Sequence, residues 1–265
     1  MGGSLAKALR QKYPSSRILA VTRNAQALRY ARAQKIIHQG SSDLAALVPL
    51  ADFIIICTPV QTVPSLVKKI DRYAKSGVLV TDVGSTKQWI QTAVKQSALK
   101  KVVFIGSHPM AGSHLSGVYN ARESLYQGSI VFMTPERRHS QKKVSTLKSF
   151  WRFLGARVIF LSPKVHDQMV SRISHVPHAL AVALMDMISP KMFPYASTGF
   201  YDTTRIAQGD PNIWVPIFLS NRKNLVHDLK KLSGILRKMM LELSRQDEQK
   251  LMKRVRLAAI KRRRL

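Results

Sequence analysis

The stretch Gly106-Ser107-His108-Pro109-Met110-Ala111-Gly112-Ser113 carries the side chain best suited to moving a proton. Histidine is the usual acid or base near neutral pH. His108 follows an apolar run, 102–106, that reads as a buried strand, and Pro109 fixes the chain beside it. A histidine merely satisfied in a core fits poorly with a strand-end loop so rich in small residues. A second stretch, Asp82-Val83-Gly84-Ser85-Thr86-Lys87, ends one strand-like run and opens a helix-like one. Ligands of open α/β sheets sit at that edge, which favours a site role for Ser85; a helix N-cap is the alternative. A third is Arg205, among small polar residues in a loop between helices. Its guanidinium suits bidentate capture of a carboxylate, with a structural ion pair to Asp202 or Asp210 as the alternative. His166, His175 and His178 share one helical stretch, and a spacing of three puts the last two on one face. No carboxylate or cysteine at ligand spacing accompanies them, so no metal is expected.

These side chains need elements to hold them. Residues 17–22, 52–59, 78–82, 102–106, 129–133 and 157–161 read as strands. Residues 25–34, 62–74, 86–98 and 144–154 read as the helices between them. Continuous apolar strands alternating with helices predict a parallel sheet covered on both faces, a doubly wound α/β domain. After Pro163 the pattern becomes helical: one long helix over 166–188, a Pro-, Gly- and Thr-rich loop over 190–211, and helix again over 212–262, with a frayed end from 261. The expected division is an α/β domain over 1–161 and an all-helical domain over 162–265.

The chain opens on Met1-Gly2-Gly3-Ser4 before the helix-like 5–9. Two glycines there would be the end of a Gly-x-Gly-x-x-Gly turn, or simply a helix cap. The strand and first glycines that normally precede such a helix are missing, which leaves two expectations: an upstream start or a true truncation. Thr22-Arg23-Asn24 ends the first strand-like run without an acid to hold a ribose diol. Arg23 is then either a partner for a 2′-phosphate, favouring NADP over NAD, or an ordinary surface arginine. Gly2, Gly3, Ser4, Thr22 and Arg23, with Thr58 and Pro59 at the end of another strand, form the expected cofactor side.

The chain has 265 residues, and Lys+Arg 43 against Asp+Glu 14 gives a net charge of +29. That excess raises nucleic acid, a membrane surface or an anionic substrate as partners. The basic residues are spread along the chain, which favours a solvated basic surface over specific nucleic-acid binding. No apolar run approaches the ~18 residues needed to cross a bilayer. One cysteine, Cys57, excludes a disulfide scaffold. With no secretory pattern at the start, a reducing, cytoplasmic setting is expected.

Taken in order, GGSLAKAL, DVGSTK, GSHPMAGSHLSGV, SHVPHALA and TRIAQGDPNIW, spanning residues 2 to 214, resemble the prephenate/arogenate dehydrogenase family. The resemblance implies a Rossmann-like NAD(P)-binding domain, its first strand missing here, followed by a helical domain that forms a homodimer. It implies oxidative decarboxylation of prephenate to 4-hydroxyphenylpyruvate in tyrosine biosynthesis, or of arogenate to tyrosine. His108 matches the family's catalytic histidine, which takes the ring hydroxyl's proton as hydride leaves. Ser85 matches the serine that orients that hydroxyl. Arg205 matches an arginine on a substrate carboxylate, and His178 a substrate-side histidine. His166 and His175 are placed beside the substrate in support. The family often has an acid where His114 stands, a departure that bears on gating or substrate preference.

Overall fold

The structure, a computed structural model, describes residues 1–112 and 117–264. His114 lies outside the described residues. Eight strands and twelve α-helices follow one another among those described. In the first part these are α1 (Gly2–Lys12), β1 (Leu19–Val21), α2 (Ala25–Ala33), β2 (Gln39–Ser41), α3 (Leu44–Leu47), β3 (Phe53–Ile56), α4 (Val63–Tyr73), β4 (Val78–Asp82), α5 (Gln88–Gln96), β5 (Val102–Phe104), β6 (Gly106–Pro109), β7 (Ile130–Thr134), α6 (Gln141–Phe153) and β8 (Arg157–Phe160). β1 and β2 pair in parallel, as do β3, β4 and β5; β6 runs antiparallel to β7, which is parallel to β8. No described strand bridges β1 and β3.

Two apolar layers cover the sheet. Val80 and Phe104 meet Val63, Val67 and Ile70 of α4 and Ile90 and Val94 of α5. The next residue along β4, Leu79, joins the other layer, with Leu5 and Ala8 of α1 and Leu147 and Trp151 of α6. Neighbours on a strand point to opposite faces, so one apolar run serves both layers. Each such valine, leucine, isoleucine or phenylalanine, fully buried, contributes about 1.5–3 kcal/mol.

Then come α7 (Pro163–Val170), a π turn (Ser171–His175), α8 (Val176–Asp186), α9 (Thr198–Thr204) and α10 (Pro211–Ser220). The single helix expected over 166–188 is therefore two, joined by a wide turn. Pro177 has no N–H for the carbonyl four residues back, and its ring crowds that carbonyl, which loosens the preceding turn. The loop expected over 190–211 contains α9 and two 3₁₀ turns. Thr203 and Thr204 donate their hydroxyls to the carbonyls of Gly199 and Phe200, both at 2.7 Å, and so hold that short helix.

By contacts the chain divides into Met1–Asn221 and Arg222–Leu265. The second unit consists of α11 (Arg222–Ser244) and α12 (Glu248–Arg262). Gln246, at φ +51, breaks the helix, and the Asp247 side chain caps α12. Arg254 grips Glu242 through two hydrogen bonds, at 2.9 and 2.5 Å. The end expected to fray is helical as far as Arg262. Among the described residues no helix is long and apolar enough to cross a membrane.

Candidate active site

The floor of the site is a buried ion pair. Asp82 ends β4, and Lys87, with both side chains fully buried, bonds its Oδ2. Lys87 Nζ also donates to the Ser107 carbonyl at 2.7 Å, and Ser107 N–H donates to Asp82 Oδ1 at 3.2 Å. The pair thus locks the turn between β4 and α5 onto β6. Gly84 is required in that turn: an added Cβ would sit 2.7 Å from Asp82 Oδ2 and 2.9 Å from Ile90. Neither Ser85 nor Thr86 caps α5. Asp167 of α7 does so, accepting from Lys87 N–H (2.7 Å) and Gln88 N–H (3.0 Å). Ser85 is half-buried in the turn and Thr86 shares a hydrogen bond with Ser220 at 3.0 Å.

His108 lies in β6 itself, opposite Phe132 of β7, not in a loop after a strand. The chain leaves β5 at Ile105 and crosses to pair with β7, so the expected loop became a strand. His108 Nδ1 stands 2.8 Å from His166 Nε2, and His166 Nδ1 stands 2.7 Å from Asp167 Oδ1. His108 Nε2 bonds to no described residue. Burial pushes the His108 imidazole well below its ordinary range, with His166, Lys87 and His175 pushing the same way. Burial also lowers His166, against the opposing pull of Asp167. Both rings are therefore neutral at pH 7.

His166 was expected beside the substrate. The structure instead commits both its ring nitrogens to protein partners and buries it completely. His175 accepts at Nδ1 from Asn221 at 3.1 Å, and burial pushes it down to about 4. His178 stacks on Trp214, ring centroids 3.5 Å apart and planes 12° from parallel. His175 Nε2 and His178 Nδ1 are buried and have no hydrogen-bond partner. Gly209 closes over that stack, where a Cβ would fall 2.3 Å from Trp214 Nε1 and 2.8 Å from His178.

Arg205 begins a 3₁₀ turn, Arg205–Gln208, that packs on α8, the helix of His178. It is exposed, and no described carboxylate pairs with it. The alternative ion pair is absent: Asp210 instead caps α10, accepting from Asn212 N–H at 2.8 Å.

The residues expected on the cofactor side lie at the start of α1 and just past β1 and β3. A Cβ on Gly2 would lie 3.2 Å from that of Cys57, just past β3 and next in the chain to Thr58 and Pro59. Met1 makes no side-chain cap, and the first intrahelical bond is Leu5 N–H to Met1 C=O at 3.0 Å. The N–H groups of Gly2, Gly3 and Ser4 precede it, and an uncapped helix start of this kind fits a pyrophosphate. The Ser4 side chain is not available, since its Oγ accepts from Arg122 N–H at 3.0 Å. Thr22 follows β1 and its Oγ1 accepts from Asn24 N–H at 3.3 Å, while Asn24 caps α2. Arg23 is exposed beside them.

Sequence reasoning missed Asp167, Lys87 and Asp82 as site-building residues. A faint signal existed for two of them, an acid and a lysine bracketing a Gly-Ser turn. Asp167 offered only its place next to His166.

An α/β layer whose first helix starts uncapped, joined to helices that set His166 against His108 of that layer, has a dehydrogenase-like architecture. The family described as prephenate dehydrogenase, nucleotide-binding domain, matches residues 5–160, and the family described as prephenate dehydrogenase, dimerization domain, matches 162–257. The prephenate dehydrogenase of Bacillus subtilis is 33% identical over 85% of this chain, which spans 63% of that protein. That of Lactococcus lactis is 32% identical over 94% of this chain and 70% of its own length. The crystal structure of the Aquifex aeolicus prephenate dehydrogenase with hydroxyphenyl propionate and NAD+ superposes with a TM-score of 0.93, at 33% identity, covering 99% of this chain and 93% of that one. The chain belongs to the prephenate dehydrogenase family.

Proposed function

We propose that the chain catalyses the NAD(P)-dependent oxidative decarboxylation of prephenate to 4-hydroxyphenylpyruvate, a step toward tyrosine. The observation that carries this reading is His108, buried and neutral, with Nε2 bonded to none of the described residues. That nitrogen takes the proton of the ring hydroxyl. Ser85, on the facing turn, orients the same hydroxyl. Arg205 holds a substrate carboxylate through its fork of donors. The stacked His178 and Trp214 wall the pocket. Loss of carbon dioxide makes the ring aromatic, which drives the reaction.

The bound nicotinamide supplies the acceptor for the hydride. Backbone N–H groups of Gly2, Gly3 and Ser4 hold its pyrophosphate, with Thr58 and Pro59 alongside. Thr22 and Arg23 meet the adenine ribose. With no acid there to hold a diol or repel a phosphate, NADP is used at least as well as NAD. The exposed apolar side chains of α11 and α12, Met240, Leu243, Val255 and Ile260 among them, accord with a homodimer. We divide the chain functionally at 161/162 and place it in the cytoplasm, in keeping with its lone cysteine.

The purified chain, given prephenate and either NADP or NAD, forms reduced nicotinamide. Turnover of arogenate but not prephenate would reassign the substrate, and turnover of neither would overturn the reading. The ratio of kcat/KM for the two cofactors falls toward NAD in Arg23→Ala. A strong native preference for NAD, unmoved by that substitution, would contradict the role given to Arg23.

A further inference from the structure

We propose that Asp167, through His166, sets the tautomer of His108 and steadies the proton that His108 gains, so that these two are positioning residues for the base. The inference rests on His108 being that base.

The argument begins at the carboxylate. Asp167 is 1% exposed, accepts from Lys87 N–H and Gln88 N–H, and lies 2.7 Å from His166 Nδ1. An ionised carboxylate can only accept. His166 Nδ1 must therefore carry a hydrogen. Its ring is neutral, so Nε2 holds a lone pair. His108 Nδ1, 2.8 Å away, can then only donate. A neutral His108 with its hydrogen on Nδ1 presents a bare Nε2, the form that can accept a proton. Without Asp167 nothing makes that choice.

The array also acts after proton transfer. Imidazolium in a buried site needs a nearby negative charge. The other charges facing the pair are Lys87 and Asp82, which neutralise each other, while His175 is neutral. Asp167 is the remaining anion, reached through His166. Its backbone contacts tie the same carboxylate to the start of α5, directly after the Ser85 turn. One side chain of α7 thus aligns the base and the hydroxyl-orienting turn.

An alanine at 167 removes the acceptor altogether. An asparagine does not: Oδ1 takes both Lys87 N–H and His166 Nδ1, and an amide oxygen there keeps the tautomer and gives up only the charge and the Gln88 contact.

Two measurements test the proposal on the full chain. Nitrogen NMR of the wild-type protein, with no substrate, reports His108 hydrogen on Nδ1 and a bare Nε2; hydrogen on Nε2 would overturn the proposal. In Asp167→Ala, with no acceptor left for His166 Nδ1, a form with hydrogen on His108 Nε2 appears. Kinetics of the same variant show kcat for prephenate reduced by roughly 10²–10⁴, as expected for a wrong tautomer. KM stays within about threefold. A drop shared by kcat and KM, or an unchanged His108 tautomer in the variant, would reduce Asp167 to a helix cap. His166→Gln, which can still accept from His108 Nδ1 but cannot pass on the charge, keeps the tautomer and loses less of kcat than Asp167→Ala. If the wild-type chain turns over neither prephenate nor arogenate, the functional reading fails, and the NMR result still judges the hydrogen-bond array.

Discussion

For the proposed base His108, burial keeps the ring unprotonated before the reaction, and its outward nitrogen bonds to none of the described residues. His108→Asn removes the acceptor and leaves the dinucleotide contacts on α1 intact. Its kcat falls by roughly 10²–10⁴ with cofactor affinity unchanged, as fluorescence titration of NAD(P)H would show. An unaltered kcat would remove His108 from the chemistry. Arg205 is exposed and unpaired among the described residues, so its charge is free for a ligand. Arg205→Ala loses a charge-assisted contact of about 1.5–3 kcal/mol, which raises KM for prephenate roughly 10- to 150-fold. Arg205→Lys raises it less, since it keeps the charge and loses the fork. A selective fall in kcat at normal KM would argue against substrate binding. Both residues were legible in the sequence, because His-Pro after a strand and Arg in a small-residue loop are local patterns. Lys87 and Asp167 were not, because what makes them matter is burial against partners 20 and 80 residues away.

At the level of elements, two irregularities shape the pocket. The π turn Ser171–His175 rotates the start of α8, so that His175 turns to Asn221 while His178 turns to Trp214. Gly209 then passes so close to that stack that no side chain fits. Gly209→Ala must push Trp214 off His178. Overpacking of this kind costs about 1–3 kcal/mol, and KM should rise along with a lower Tm. A variant with wild-type Tm and KM would show that the loop yields freely. Helix and strand types were readable from apolar periodicity, whereas the π turn, α9 and the extra strand β6 were not. Each depends on how a proline, two threonine hydroxyls or a neighbouring strand is met in space.

For the whole molecule, the buried histidines couple folding to acid. His175 is pushed down to about 4 in the folded chain from its ordinary 6.5. Below pH 6.5 the unfolded chain binds protons that the folded chain refuses. Stability is therefore full above that pH and is lost as pH falls toward 4, by roughly 3 kcal/mol for His175 alone. His108, His166 and His178, also lowered, add in the same direction. Urea midpoints should drop between about pH 7 and about pH 4.5; midpoints that hold or rise would contradict the linkage. The charge of +29 acts differently. A positive field draws in a dianionic substrate and is screened over about 8 Å at physiological salt, so kcat/KM for prephenate falls as salt rises. A salt-independent kcat/KM would show that the charge does not reach the site.

The sequence by itself determined the alternation of strands and helices, the change to helix after Pro163, and the candidates for moving a proton, orienting a hydroxyl and binding a carboxylate. These are local properties: periodicity selects the element, and residue chemistry limits the role. The tertiary structure decided that His166 commits both ring nitrogens to protein partners while His108 commits one among the described residues. It placed Asp167 under His166 and at the start of α5, gave the Ser4 hydroxyl to Arg122, and left Arg205 unpaired among the described residues. Those outcomes depend on distances between residues far apart in the chain, where a hydrogen bond either forms within about 3 Å or contributes nothing.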